Sequence, residues 1–76
     1  MGEAMRIEYD QKSDTLYINF NDKKVKKTQS VNNLVLVDLD EEGHPVHIEI
    51  LSASHYGDVS ELTYKILSEA RASEAK

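Results

Sequence analysis

From Met5 to Leu51 apolar residues return at nearly every second position, and that period confines this part of the chain to strands. Met5, Ile7 and Tyr9 alternate with Arg6, Glu8 and Asp10. Leu16, Ile18 and Phe20 alternate with Thr15, Tyr17 and Asn19. Successive side chains of a strand point to opposite faces, so each run is a half-buried strand. The intervening DQKSD (10–14) and Asn21-Asp22 are turn material, because Asp, Asn and Ser bond to nearby backbone. The third segment, about 25–31, is poor in apolar residues. Lys23, Lys24, Lys26 and Lys27 flank Val25 there, which marks an edge strand whose charges deter edge-to-edge pairing. A basic binding spot for phosphate or an acidic partner is the other use of that cluster. Asn32-Asn33 turns the chain again. NLVLVDLD then reads as a central strand with both faces covered at least in part, and HPVHIEIL as a fifth strand with Val46, Ile48 and Ile50 on one face.

The tail changes period. Asp58 stands three residues before Glu61, the spacing of a capping box. Val59, Leu62, Ile66 and Ala70 recur at helical intervals, with Thr63 and Leu67 beside them. Glu61 and Lys65 are placed to pair one turn apart. The spacing predicts a helix over 59–72, packed on the sheet face that carries Val35, Val37 and Leu39.

Seventy-six residues allow one domain: a loose lead-in at 1–4, a sheet over 5–51, and the helix. A chain this short buries only about 60–65% of its unfolded surface, so its core is small. With no cysteine there is no disulfide, thiolate nucleophile or thiolate zinc site. The net charge of −5 argues against nucleic acid, whose phosphates repel the average surface. No apolar run approaches the roughly 20 residues of a membrane helix. MGEAMR lacks the apolar stretch of a secretory signal. It also has Arg6 where a myristoylation motif wants Ser or Thr. The expected location is the cytoplasm, and no motif implies a cofactor.

One stretch imitates a calcium site. In DLDEEGHPVHIE (38–49), acids occupy the first, third and fifth positions, Gly43 the sixth and Glu49 the twelfth, as in an EF-hand loop. That loop lies between two amphipathic helices, whereas the flanks here are LVLV and VHIEI. The reading is therefore a hairpin. A two-residue turn at Glu42-Gly43 pairs Leu39 with Val46, Val37 with Ile48 and Val35 with Ile50. A three-residue loop ending in a glycine bulge shifts the register and sets Asp38 opposite Val46, burying a carboxylate on the apolar face. The two-residue turn is favoured. Glutamate is a poor first turn residue, which keeps the other open.

The favoured register sets His47 opposite Asp38, with Glu49 two residues on. A carboxylate-oriented imidazole is a common acid–base pairing, and Asp38, His47 and Glu49 form a candidate polar site. Cross-strand Asp–His pairs are also ordinary surface contacts. No nucleophile or phosphate loop accompanies them. His44, His47 and His55 lack the spacing of a metal motif. Ser52, Ser54 and His55 lack the elbow motif of a hydrolase. Leu34 and Leu36 point away from the predicted helix, toward Leu51 and Tyr17. One helix covers one face, so Tyr17, Leu34, Leu36 and Leu51 form a candidate interaction surface.

The run YDQKSDTLYINF, followed by VNNLVLVDLDEEGHPVHIEIL, resembles the bacterial family of small uncharacterised proteins catalogued as domain-of-unknown-function family 2283. Tyr9, Asp10, Asp14, Leu16, Tyr17 and Ile18 fit its first block; Asp38, Asp40, Gly43, Ile48, Glu49, Ile50 and Leu51 fit its second. His47 stands where the family often has glycine. The resemblance covers about residues 5–54. It implies a compact antiparallel β-rich domain and carries over no catalytic or binding residue. Tyr9, Asp10, Asp14 and Tyr17 read either as folding residues or as an aromatic–acidic recognition patch.

The expected fold is therefore α+β: an antiparallel meander of about five strands with a C-terminal helix on one face. The expected function is a non-enzymatic interaction module, a homodimer or half of a small complex. A small-ligand or metal binder using Asp38, His47 and Glu49 is the alternative.

Overall fold

A computed structural model describes residues 4–67. Five strands form one antiparallel sheet: β1 (Arg6–Asp10), β2 (Thr15–Asn19), β3 (Lys27–Ser30), β4 (Val35–Leu39) and β5 (Pro45–Ile50). A short 3-10 turn, Ala53–His55, follows.

The spatial order is β1-β2-β5-β4-β3, not the expected meander. Three consecutive strands joined by hairpins lie beside β2, which reaches β3 by the long connection 20–26; this is Greek-key connectivity. The reason lies in β3. Its sequence KTQS is polar and exposed throughout. A meander of five strands puts the third in the middle, where those side chains would be covered on both faces. The edge expectation for this strand and the meander cannot both hold, and the edge prevails. The middle position passes to β5, which pairs with β2 on one side and β4 on the other. The lysines of the connection meet acids: Lys23, Lys24 and Lys26 line a cleft with Asp40, Glu41 and Glu42 of the β4–β5 turn.

That turn combines both expectations. Gly43 is left-handed at φ 84, Gly43 N–H donates to Asp40 O at 3.0 Å, and Asp40 N–H donates to His44 O at 2.9 Å. The loop is thus Glu41-Glu42-Gly43, the three-residue form. Yet Asp38 faces His47, Val37 faces Ile48 and Val35 faces Ile50, the register of the two-residue form. A register shift between Asp38 and Leu39 reconciles them. Leu39 faces Pro45 in place of the expected Val46. Proline has no N–H for the ladder, so pairing breaks there and the extra residue is absorbed as a bulge. The slip that would have set Asp38 opposite Val46 never occurs, and Val46 is fully buried. Asp40 Oδ1 accepts the N–H groups of Glu42 and His44, each at 2.9 Å. The His44 bond, with that of Glu42 behind it, holds the Asp40 carboxyl below the usual carboxylate range.

A second knot joins the sheet's other end. Tyr9 donates to Asp14 Oδ1 at 2.5 Å, and Ser54 donates to the same carboxylate through its N–H at 3.1 Å and its hydroxyl at 2.7 Å. Ala53 N–H donates to Asp14 O at 2.9 Å, and Ala53 is buried. The Tyr9 bond, then those of Ser54, hold Asp14 below its ordinary pKa. Asp10 Oδ1 accepts Lys12 N–H at 3.0 Å. Asp10 and Asp14 thus do shape the first turn, and Asp14 also fastens it to the chain 40 residues later.

Ser52 takes φ 51 with no capping hydrogen bond from its side chain. Left-handed backbone is strained for a residue with a Cβ and not for glycine. Ser52→Gly is expected to raise stability by about 0.5–1 kcal/mol, measured by urea denaturation.

The predicted helix is the main correction. Residues 59–67 contain no helix, and 68–72 lie outside the described residues. Asp58 does not form the capping box: its Oδ1 accepts the N–H of Ser60 at 2.9 Å and the Ser60 hydroxyl at 2.7 Å. Leu62, Ile66 and Leu67 are 51%, 82% and 57% exposed. A lone helix of about 14 residues is marginal in water and depends on packing for its stability. Val59, Ser60, Thr63, Tyr64 and Ile66 are only middling helix formers. Every residue of 60–67 is exposed, so packing over that stretch does not offset the nucleation cost. The described fold is therefore all-β, not α+β.

Candidate functional site

Alternation and register sort the side chains into two faces. Direct partners share a face, so rows can be read across the strands. On one face run Arg6, Asn19, His47, Asp38 and Thr28, and beside them Glu8, Tyr17, Glu49, Leu36 and Ser30. On the other run Ile7, Ile18, Ile48, Val37 and Gln29, and beside them Tyr9, Leu16, Ile50 and Val35.

The polar face holds Asp38, His47 and Glu49, together with Tyr17 and Leu36. His47 Nδ1 lies 2.9 Å from Asp38 Oδ2, and Thr28 donates its hydroxyl to Asp38 Oδ1 at 2.6 Å. With a carboxylate as partner, Nδ1 carries the proton, which leaves Nε2 of a neutral ring as the acceptor. The His47 bond, then that of Thr28, hold the Asp38 carboxyl below its ordinary range. Glu49 sits between Tyr17 and Leu36 in the next row. Glu8, Tyr17, Asn19, Asp38, His47 and Glu49 line an open cleft of about 210 Å³. Such a cleft can accept hydrogen-bond donors or positive charge. Thr28 spends its proton on Asp38 and so is not placed as a nucleophile activated by His47. Among the described residues, no three His, Asp or Glu side chains converge as metal ligands. That holds for Asp38, His47 and Glu49 and for the three histidines.

Leu34, Leu36, Leu51 and Tyr17 are all half-buried. Leu51 N–H donates to Leu34 O at 2.7 Å, which brings those two strand ends together. Glu49 interrupts the strip between Leu36 and Tyr17.

The apolar face is the site that sequence reasoning missed. Its residues were read as lying under the helix. Without the helix, two uncharged rows cross β1, β2, β5 and β4, aliphatic except for Tyr9. Among the described residues, Ala53, Tyr56, Val59 and Leu62 border a cavity with Leu16, Val35 and Ile50 at one corner of this face. Val46 and Ala53 are the only buried hydrophobic residues described. The signal was present in the alternation; the tail's helical period concealed its meaning. No helix among the described residues is long and apolar enough to cross a membrane.

No curated protein and no solved structure matches the chain. Residues 6–54 match the family described as protein of unknown function (DUF2283), a span that holds all five strands and the Asp14–Ser54 knot. With its YD-x-x-x-D turn tied to the end of β5 and its glycine hairpin between β4 and β5, the chain belongs to that family.

Proposed function

We propose that this chain is a non-enzymatic association module whose apolar sheet face receives a second polypeptide layer. The observation that carries this reading is the apolar double row of Ile7, Ile18, Ile48, Val37, Leu16, Ile50 and Val35, of which Ile7 is exposed and the other six are half-buried among the described residues. Domains are built from at least two packed layers, because a sheet's apolar face must be buried against something. The opposite face suits docking less well. Covering Tyr17, Leu34, Leu36 and Leu51 would also cover Glu49, and stripping a carboxylate of water without a partner is costly.

The chain has no cysteine, so one introduced thiol reports on one position. Ile48→Cys, produced in the chain's own cells, should react with a small thiol reagent at least about tenfold more slowly than Lys12→Cys on the exposed first turn. Equal rates would show an open face and remove the reading.

A second reading rests on the Asp38–His47 pair over its cleft. A small ligand offering hydrogen-bond donors or positive charge would suit it, with Glu49 and Glu8 beside it. The openness of the cleft and the missing third metal ligand favour the first reading.

A further inference from the structure

We propose that two copies of this chain join edge to edge through β1, antiparallel about a two-fold axis at Ile7, so that Arg6 of each copy faces Glu8 of the other. This goes beyond the docking reading above and does not depend on it, because it uses the edge of the sheet and buries neither face.

The ladder decides which backbone groups the edge presents. In an antiparallel sheet a residue turns its N–H and C=O to the same neighbouring strand, and successive residues alternate between neighbours. Phe20 N–H donates to Val46 O at 2.9 Å, so Phe20, Ile18 and Leu16 bond toward β5. Thr15, Tyr17 and Asn19 therefore bond toward β1, where they meet Asp10, Glu8 and Arg6. Ile7 and Tyr9 turn their N–H and C=O outward, and Met5 continues the alternation. Among the described residues, β1 has a ladder partner on one side alone.

The two edges of the sheet are built differently. β3 and its approach carry Lys26 and Lys27, and lysine on an edge deters pairing. β1 has no lysine and no proline, and its pairing with β2 runs without a register shift. Met5 and Ile7 beside it are 63% and 55% exposed. A regular edge with exposed apolar side chains is a template for another strand.

The charges of β1 select both the register and the occupant. Outward residues bond only to outward residues, so a two-fold axis passes through a residue. Centred on Arg6 or on Glu8, that residue faces its own copy. Centred on Tyr9, Glu8 faces Asp10. Like charges directly opposite are destabilising. Centred on Ile7, Ile7 faces Ile7, Met5 faces Tyr9, and Arg6 faces Glu8 twice. Arg6 and Glu8 are already neighbours within one chain, with Nε 3.5 Å from Oε2 and both side chains more than half exposed. In the pair the four charges alternate in sign. A foreign strand must bring base, apolar residue and acid in the same order, whereas a copy brings them by symmetry. Glu8 also lines the Asp38–His47 cleft, so the pair sets the other copy's guanidinium at its rim.

The test uses the full chain. Sedimentation of the purified wild type at high micromolar concentration should give twice the 8.6 kDa chain mass. Arg6→Glu sets acid opposite acid twice and should weaken the pair at least about tenfold. The double variant Arg6→Glu, Glu8→Arg restores opposite charges and should recover the wild-type mass. Ile7→Pro removes an outward N–H that the ladder does not use, and should give a monomer whose sheet persists by circular dichroism. Ile48→Asp, on the apolar face, should leave this pair intact. A monomeric wild type overturns the inference. So does a pair that survives both Arg6→Glu and Ile7→Pro, or a double variant no better than Arg6→Glu alone. Loss of the pair with Ile48→Asp and not with Arg6→Glu would move the contact to the apolar face.

Discussion

Ile48→Asp should abolish association through the apolar face, whereas Leu36→Asp should leave any such association intact. Ile48 lies in the middle strand, with Ile18 and Val37 as its direct partners. A carboxylate there would be taken out of water by the second layer and find only aliphatic side chains. Transfer of an unpaired charge to such surroundings costs several kcal/mol, and about 4 kcal/mol already weakens an interface by about a thousandfold. The substitution should be mild for the monomer, where the position is only half-buried. Leu36 is also half-buried, but its neighbour across the strand is Glu49 and its face is already charged. An aspartate there should leave assembly unchanged. Sedimentation of both variants, with circular dichroism to establish that the sheet persists, makes the comparison. The opposite pattern, assembly lost with Leu36→Asp and kept with Ile48→Asp, would transfer the interface to the Tyr17, Leu34, Leu36 and Leu51 strip.

The strands were legible because a half-buried strand writes its burial into every second residue. The same period carried the Asp38–His47 pairing, since one register alone keeps Val35, Val37, Ile48 and Ile50 on one face. Loop length and register are not rigidly tied: a bulge can separate them, and Pro45 is the residue that does so. Strand order was not legible in the same way. Alternation says which side chains share a face and nothing about which strands are neighbours. The polar KTQS strand did contain the answer, because it belongs at an edge, and that alone excludes a five-strand meander. The helix failed for a different reason. A helical period describes what a segment could bury if it had a surface to meet, and residues 59–67 lie away from most of that surface. Predicting the helix then hid the apolar face, because a covered face raises no question.

Acid should unfold this domain below about pH 4, where ordinary carboxylates gain protons. Asp14, Asp38, Asp40 and Asp58 all lie below their ordinary range, each because its charged form accepts hydrogen bonds. Asp14 ties Tyr9 and Ser54, Asp38 ties His47 and Thr28, Asp40 closes the glycine hairpin, and Asp58 holds Ser60. A depressed native pKa means that the unfolded chain binds more protons in that range. The stabilisation is therefore present in full above the unfolded value and is lost as pH falls through the native ones. Three of the four ties close the ladder: the first turn to the end of β5, β3 and β5 to β4, and β4 to β5. Their loss should be cooperative. Repulsion adds to it, because the net charge of −5 gives way to the positive charge of nine Lys and Arg as the acids are neutralised. Circular dichroism from pH 7 to pH 2 should show a flat baseline and then one transition. Asp14→Asn tests the cause. It keeps a side chain that tolerates φ 56 but removes the titrating charge. The variant should be less stable than the wild type at pH 7 and converge with it at low pH. Parallel curves, with the same loss at every pH, would mean that Asp14 acts through shape and not through its charge.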